Sequence, residues 1–306
     1  TYSWAFGNGT LISGSDQGPY TIEFSNTGTE SVELTVSESG CTSPINAQNI
    51  TVNEVPSSAF SVSSTEICSD NNITVTYTGS ASGSAAYTWN FDGGISTPGT
   101  GVGPHTVNWI SGGSYSIGLT VTENGCTSSE TTIPMTVLNT PTASFTALPS
   151  TICAYDTIDI TYTGTGSGSA IYNWNMGSGS IISGSADGPY EVVFNASGTE
   201  TITLSVTENG CISSEILHSV DVLTSPSSDF TVSESTICTG YTVDITYSGT
   251  GTGSGIYSWN FGDAIVYSGT GQGPYAVTWD SDAVHDITLT VSESGCSSDQ
   301  TLDKVT

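Results

Sequence analysis

The sequence predicts an all-β chain of tandem Greek-key β-sandwiches arranged end to end, and three observations predict it. Tryptophan recurs at Trp4, Trp89, Trp174 and Trp259, and cysteine at Cys41, Cys126, Cys211 and Cys296, each at an interval of 85 residues. A fixed interval of this size marks a repeat array. Within one interval, short segments alternate apolar and polar residues with period two, as half-buried strands do, and no window carries a helical period.

The same interval relates Gly18-Pro19-Tyr20 to Gly103-Pro104-His105, Gly188-Pro189-Tyr190 and Gly273-Pro274-Tyr275, and it relates Cys68 to Cys153 and Cys238. Proline-containing joints at Val55-Pro56, Thr140-Pro141 and Ser225-Pro226 then divide the chain into repeat 1 (1–54), repeat 2 (55–139), repeat 3 (140–224) and repeat 4 (225–306). Repeat 1 starts at the segment that matches Tyr87-Thr88-Trp89, so its N-terminal strands are expected to be missing, and repeat 4 is expected to lack the end of its last strand. With no initiating Met and no signal-peptide pattern, the chain reads as a soluble segment of a longer, processed array. The joints are short, so neighbouring domains are expected to touch.

Taking repeat 2 in order, Ile73, Val75 and Tyr77 alternate with threonines as a strand, and Tyr87, Trp89 and Phe91 form the next with the Trp facing inward. Val107-Trp109, Ile117-Leu119-Val121 and Ile133-Met135-Val137 follow, separated by Gly, Ser, Asn and Pro turns. Asn124-Gly125 fits a two-residue type I′ hairpin. About seven such strands with a buried Trp on the third indicate an immunoglobulin-type sandwich. The expected core holds Trp4, Trp89, Trp174 and Trp259 together with the pairs Ile22 and Phe24, Val107 and Trp109, Val192 and Phe194, and Val277 and Trp279. Gly-rich stretches such as Gly164–Gly168 and Gly249–Gly255 are expected to be flexible loops.

The chain has 29 Asp and Glu against one basic side chain, Lys304, and a net charge of −28. Binding nucleic acid or an anionic membrane needs clustered Lys and Arg, so neither is a partner, and no apolar run is long enough for membrane insertion. Catalysis is not expected: His105, His218 and His285 occupy different repeat positions, and the Gly-rich stretches lack the Lys and helix of a phosphate cradle. Glu123, Glu208 and Glu293 recur beside the hairpin, and Asp159 and Asp244 recur early in the second strand. Clustered carboxylates of this kind can hold Ca²⁺, the one cofactor considered. The Asp-x-Asp-x-Asp-Gly spacing is missing, however, so the plainer reading is a solvated acidic face. The aromatic positions Tyr87, Trp89 and Phe91 fit a core strand better than a sugar-stacking strip. The sequons at Asn8, Asn49, Asn72 and Asn195 fall at unmatched repeat positions.

Seven regularly placed cysteines favour disulfides in an oxidising compartment. Two pairings remain open. Counting favours bridges within repeats, Cys68 to Cys126, Cys153 to Cys211 and Cys238 to Cys296, with the partner of Cys41 outside the sequence. Topology favours bridges between neighbours, Cys68 to Cys211 and Cys153 to Cys296, because the first turn and the final hairpin of one sandwich lie at opposite ends. A strand of six residues spans about 20 Å, whereas a disulfide needs Cα atoms within about 7 Å.

The segment Trp-Asn-Phe-Gly-Asp at Trp259 to Asp263, with weaker versions at Trp4, Trp89 and Trp174, resembles the signature of polycystic-kidney-disease-type (PKD) domains. The Ile-Cys and Asn-Gly-Cys elements resemble the cysteine-containing PKD-like repeats of Bacteroidetes cell-surface proteins, including giant gliding-motility adhesins exported by type IX secretion. The motif's Asp is present only as Asp263, its counterparts being Asn8, Gly93 and Ser178. The resemblance implies an extracellular, cell-surface location and a structural role in an adhesin stalk or filament. Its partners would be neighbouring repeats, with any polysaccharide or other surface ligand bound elsewhere. The alternative is a spacer or carbohydrate-binding module of a secreted polysaccharide-degrading enzyme.

Overall fold

The structure is a computed structural model that describes residues 1–306 and contains strands and turns but no helix. It comprises two compact units, Thr1–Thr140 and Pro141–Thr306, each holding two repeats. Every sheet closes within one repeat, and repeats 2, 3 and 4 each stack two sheets as tandem Ig-like sandwiches.

In repeat 2 one sheet runs in the order Ile95–Thr97, His105–Asn108, Ile73–Tyr77, Phe60–Val62, and the other in the order Ala86–Asn90, Gly113–Glu123, Thr131–Leu138, Glu66–Cys68. Phe60–Val62 and Glu66–Cys68 are successive strands that lie in different sheets. Glu66–Cys68 pairs in parallel with the last strand, Cys68 opposite Leu138, and repeat 3 repeats this with Cys153 opposite Leu223. In repeats 2 and 3 the Ile-Cys strand and the last strand are thus bonded side by side and point the same way.

Inward-facing residues of both sheets make three cores, one each for repeats 2, 3 and 4. Val75, Val107, Ile117, Leu119 and Val121 are fully buried in repeat 2. The largest fully buried side chains are Trp109, Trp279 and Phe194, each from one of the expected core pairs. Trp89, Trp174 and Trp259 differ from the expectation: they are half-buried and flank the core. Their indole N–H groups explain the position, since each donates to a loop carbonyl, that of Gly101, Ala186 or Gly271. The first-strand phenylalanine closes over each ring at about 5 Å, as Phe60 on Trp89, Phe145 on Trp174 and Phe230 on Trp259. In repeat 1 the partly buried Trp4 ring meets Phe6 at 6.1 Å and Tyr20 at 5.4 Å.

The hairpin follows the sequence closely. Asn124 and Gly125 have φ of 50° and 82°, and Asn209 and Gly210 have 49° and 82°, as a type I′ turn requires. Ser39-Gly40 and Ser294-Gly295 adopt the same angles in repeats 1 and 4. One strand was not foreseen in any repeat: the fourth, at Thr10–Ser13, Ile95–Thr97, Ser180–Ser183 and Ile265–Ser268. It is a largely exposed edge strand, so its apolar residues do not alternate with burial.

Candidate functional site

The chemistry of this chain is concentrated where consecutive repeats meet. In the unit Pro141–Thr306, Cys153 of repeat 3 is bonded to Cys296 of repeat 4, with Cα atoms 5.6 Å apart and 143 residues between them in sequence. Local structure aims both sulfurs. Cys153 ends its strand in a tight turn: its carbonyl accepts from Asp156 N–H at 3.0 Å, and its own N–H donates to the Asp156 carboxylate at 3.3 Å. Tyr155, at φ 74°, donates its N–H to Phe194 O at 2.7 Å and so fastens the turn to the core. Cys296 is fully buried and follows the Ser294-Gly295 turn directly. Two polar clefts of about 510 and 750 Å³ flank the bridge, so the joint is bridged covalently without being packed solid.

Cys153 is therefore not bonded to Cys211, nor Cys296 to Cys238, as bridges within repeats would require. Cys68 and Cys211 are also disulfide-bonded. Cys41, Cys126 and Cys238 are free thiols. The bridges within repeats, Cys68 to Cys126 and Cys238 to Cys296, are therefore not formed, because the first turn and the hairpin of one sandwich lie at opposite ends. The cysteine turn itself is present in both other repeats. Asp70 N–H donates to Trp109 O, and Gly240 N–H to Trp279 O, at the place where Tyr155 N–H donates to Phe194 O.

At the joint between repeats 1 and 2, within the unit Thr1–Thr140, the hairpin of repeat 2 rests on the end of repeat 1. Asn53 Nδ2 donates to Asn124 O at 3.0 Å, and Cys126 Sγ lies 3.9 Å from Asn53 O. Asn53 is the repeat counterpart of Leu223, the residue opposite Cys153, and Cys126 is the counterpart of Cys296. The two joints thus present the hairpin cysteine at equivalent places.

The recurring glutamates are loop clasps. Glu123 accepts from Ser82 N–H at 3.1 Å and from its hydroxyl, Glu208 accepts from the Ser167 hydroxyl, and Glu293 accepts from Thr252 N–H at 3.0 Å and Ser254 Oγ at 2.9 Å. Two tyrosines complete each clasp. Tyr162 OH donates to Thr142 O and accepts from Gly166 N–H, while Tyr172 OH donates to Ser167 O. The Gly-rich loops expected to be flexible are pinned by these bonds. No group of three or more His, Cys, Asp or Glu side chains is placed to hold a metal ion, and Glu123, Glu208 and Glu293 stand in separate repeats.

A second polar pair escaped the sequence reading. The turn after the third-strand Trp is tied to the long sixth strand by one charged contact whose sense changes between repeats. Glu30 accepts from Asn8 and Glu200 from Ser178, whereas in repeat 4 the strand residue is His285, and Asp263 on the turn meets its Nδ1 at 3.0 Å. The Asp that the PKD-like motif displays only once is one half of this interchange. Its signal is the reciprocal change at two positions 22 residues apart, which a search for one invariant residue does not detect.

Donated hydrogen bonds hold Glu30, Glu200 and Glu293 below the ordinary Glu range, chiefly from Asn8, Ser178 and Thr252 respectively, while desolvation pushes the phenols of Tyr87, Tyr172 and Tyr257 up. A depressed carboxylate stabilises the fold above its unfolded-state value of about 4.3 and loses that contribution as pH falls through the folded-state value. Glu200→Gln should therefore lower the melting temperature at pH 7 and flatten its fall between pH 5 and 3, without changing the alkaline side. The overall relief of acidic repulsion is nearly common to both proteins and cancels in the comparison. An acid limb identical to that of the unaltered chain would show that the clasp does not contribute.

No protein-family model matches the chain, and no curated protein matches it. Among solved structures it is similar to a three-domain Ig fragment of titin, at 12% identity over 83% of this chain and 99% of that one, with a TM-score of 0.40. It is similar also to the N-terminal eight Ig domains of the Down syndrome cell adhesion molecule, at 9% identity over 100% of this chain and 44% of that one, TM-score 0.46. An ICAM-5 ectodomain fragment matches at 11% identity over 99% of this chain and 94% of that one, TM-score 0.41.

Proposed function

We propose that the chain is a tension-bearing structural segment of a large extracellular adhesin stalk or filament, of the PKD-like kind its motifs resemble, serving surface adhesion or gliding motility. The observation that carries this reading is the bond between Cys153 and Cys296, which joins two successive folded repeats. Such bonds persist in oxidising, extracellular compartments, and a link across a joint has little use in a module that acts alone.

The mechanical consequence follows from topology. Pulling on a repeat loads its parallel first and last strands in opposite directions, so their hydrogen bonds are sheared together. In repeat 3 that patch aligns Thr151 with Asp221, Ile152 with Val222 and Cys153 with Leu223. With the bridge open that patch bears the load; with it closed, tension passes from Cys153 directly to Cys296 and spares the residues between them. With one basic side chain in 306 residues, the segment also offers trypsin-like proteases almost nothing to cut.

The location is tested by labelling intact source cells with an antibody raised against residues 141–306. Staining without permeabilisation is expected. Staining only after the cells are opened would contradict the proposal.

A further inference from the structure

The bond between Cys153 and Cys296 can be reached from one side only. Cys296 has no exposed surface and lines neither of the two clefts that flank the bridge. Cys153 is half-buried and lines both. Thiol–disulfide exchange requires a thiolate to approach one of the two sulfurs, so access decides which is attacked. Here the path leads to Cys153, and Cys296 is the sulfur expelled.

The walls of both clefts carry one sign of charge. Asp156 lines both, and Asp229 and Asp299 line the larger. No cationic side chain lines either cleft, and the chain's one basic side chain, Lys304, is paired with Asp286 at 2.9 Å. Asp156 is tied to the attacked residue itself, since its carboxylate accepts from the Cys153 N–H at 3.3 Å. A cleft lined by one sign of charge focuses the field on whatever enters it. An incoming thiolate is an anion and is repelled, whereas a thiol that carries its own ammonium group brings a compensating charge.

We propose that the Cys153–Cys296 bridge is a thiol–disulfide exchange site that selects its nucleophile by charge. Small cationic aminothiols are admitted to Cys153, and anionic thiols are held off by Asp156, Asp229 and Asp299. In the exchange the thiolate forms a bond to Cys153 Sγ, the bond between Cys153 and Cys296 breaks, and its electron pair leaves on Cys296 Sγ, which takes up a proton from water. Expelling a thiolate into apolar, buried surroundings is unfavourable. That makes the exchange slow for every thiol and leaves charge to rank them. The bridge shows this selectivity whether or not the chain bears tension.

The test treats the full chain, its free thiols first alkylated, with cysteamine, 2-mercaptoethanol or 3-mercaptopropionate, which are cationic, neutral and anionic thiols of similar size. Rates are expressed per thiolate and divided by those for an uncharged small disulfide, bis(2-hydroxyethyl) disulfide. Cysteamine should exceed 3-mercaptopropionate by at least about tenfold at low ionic strength, and by less than about threefold in about 1 M salt, where charges are screened within about 3 Å. Acid quenching followed by peptide mapping should find the trapped adduct on Cys153 at least about tenfold more often than on Cys296. Asp156→Asn should shrink the low-salt ratio at least about threefold. The turn accepts this change, because Asn71 is the counterpart in repeat 2 and donates its N–H to Cys68 O as Asp156 does to Cys153 O. Asp187→Asn removes the same charge from a turn that lines neither cleft and should leave the ratio unchanged. Adducts found chiefly on Cys296 would overturn the proposal. So would equal normalised rates for the three thiols at low salt, or an equal loss of selectivity from Asp156→Asn and Asp187→Asn.

Discussion

Pulled by its two ends, the oxidised chain should stop lengthening at least about 500 Å short of the reduced chain. The figure follows from the 143-residue separation of Cys153 and Cys296 at roughly 3.5 Å per extended residue. With the bridge closed, the shortest covalent path bypasses most of repeat 3 and nearly all of repeat 4. Those residues stay slack even when their sandwiches have opened. Adding a reductant during a constant-force hold should release the hidden length in one step for each bridge. Cys153→Ser should lose the step belonging to its bridge in oxidising buffer. The same bridge closes a long loop in the unfolded chain, which by chain entropy amounts to about 2 to 5 kcal/mol of added stability. Equal contour lengths before and after reduction would show that tension does not run through the sulfurs.

Removing Trp109 or Trp279 should produce the largest loss of stability available to a single side chain. Trp109 is 2% exposed and Trp279 1%, each enclosed by both sheets, so either change to Ala deletes a large ring from a packed interior. The expected cost is about 3 to 5 kcal/mol. Ile95, on the edge strand of repeat 2, is 59% exposed. Ile95→Ala should cost less than about 1 kcal/mol, because the side chain already faces solvent. Hydrogen exchange at Ile117 to Val121, followed through denaturant, reads repeat 2 separately from its neighbours. Equal losses for Trp109→Ala and Ile95→Ala would mean that the Trp109 ring is not enclosed by both sheets.

Period-two alternation and the fixed interval made the inward face of most strands legible from residues alone. Ile73, Val75, Val107, Ile117, Leu119 and Val121 are all fully or nearly fully buried. The hairpins were equally legible, because Asn-Gly is strongly biased toward positive φ at both positions. The fourth strand was not, since an exposed edge places no burial constraint on its side chains. The third-strand Trp was misjudged in degree because its size suits a core while its N–H needs an acceptor, and the acceptors lie at the rim. The glutamate clasps were seen as a pattern but not as an interaction. Their partners Ser82, Ser167 and Thr252 lie 41 residues earlier in loops whose composition suggests only mobility. Bridge connectivity was limited to two alternatives by strand length, and choosing between them required the position of the neighbouring repeat.

The central claim, that successive repeats are bonded across their joint, is tested most directly by mapping cysteine-containing peptides from the unreduced chain. Trypsin is unsuitable because Lys304 is the only basic side chain, so pepsin at low pH, which also suppresses disulfide exchange, is the appropriate enzyme. Mass spectrometry should recover a linked pair that contains Cys153 and Cys296, with Cys238 absent from that pair. Recovery of Cys153 linked to Cys211, or of Cys238 linked to Cys296, would place the bridges inside single repeats and contradict the account.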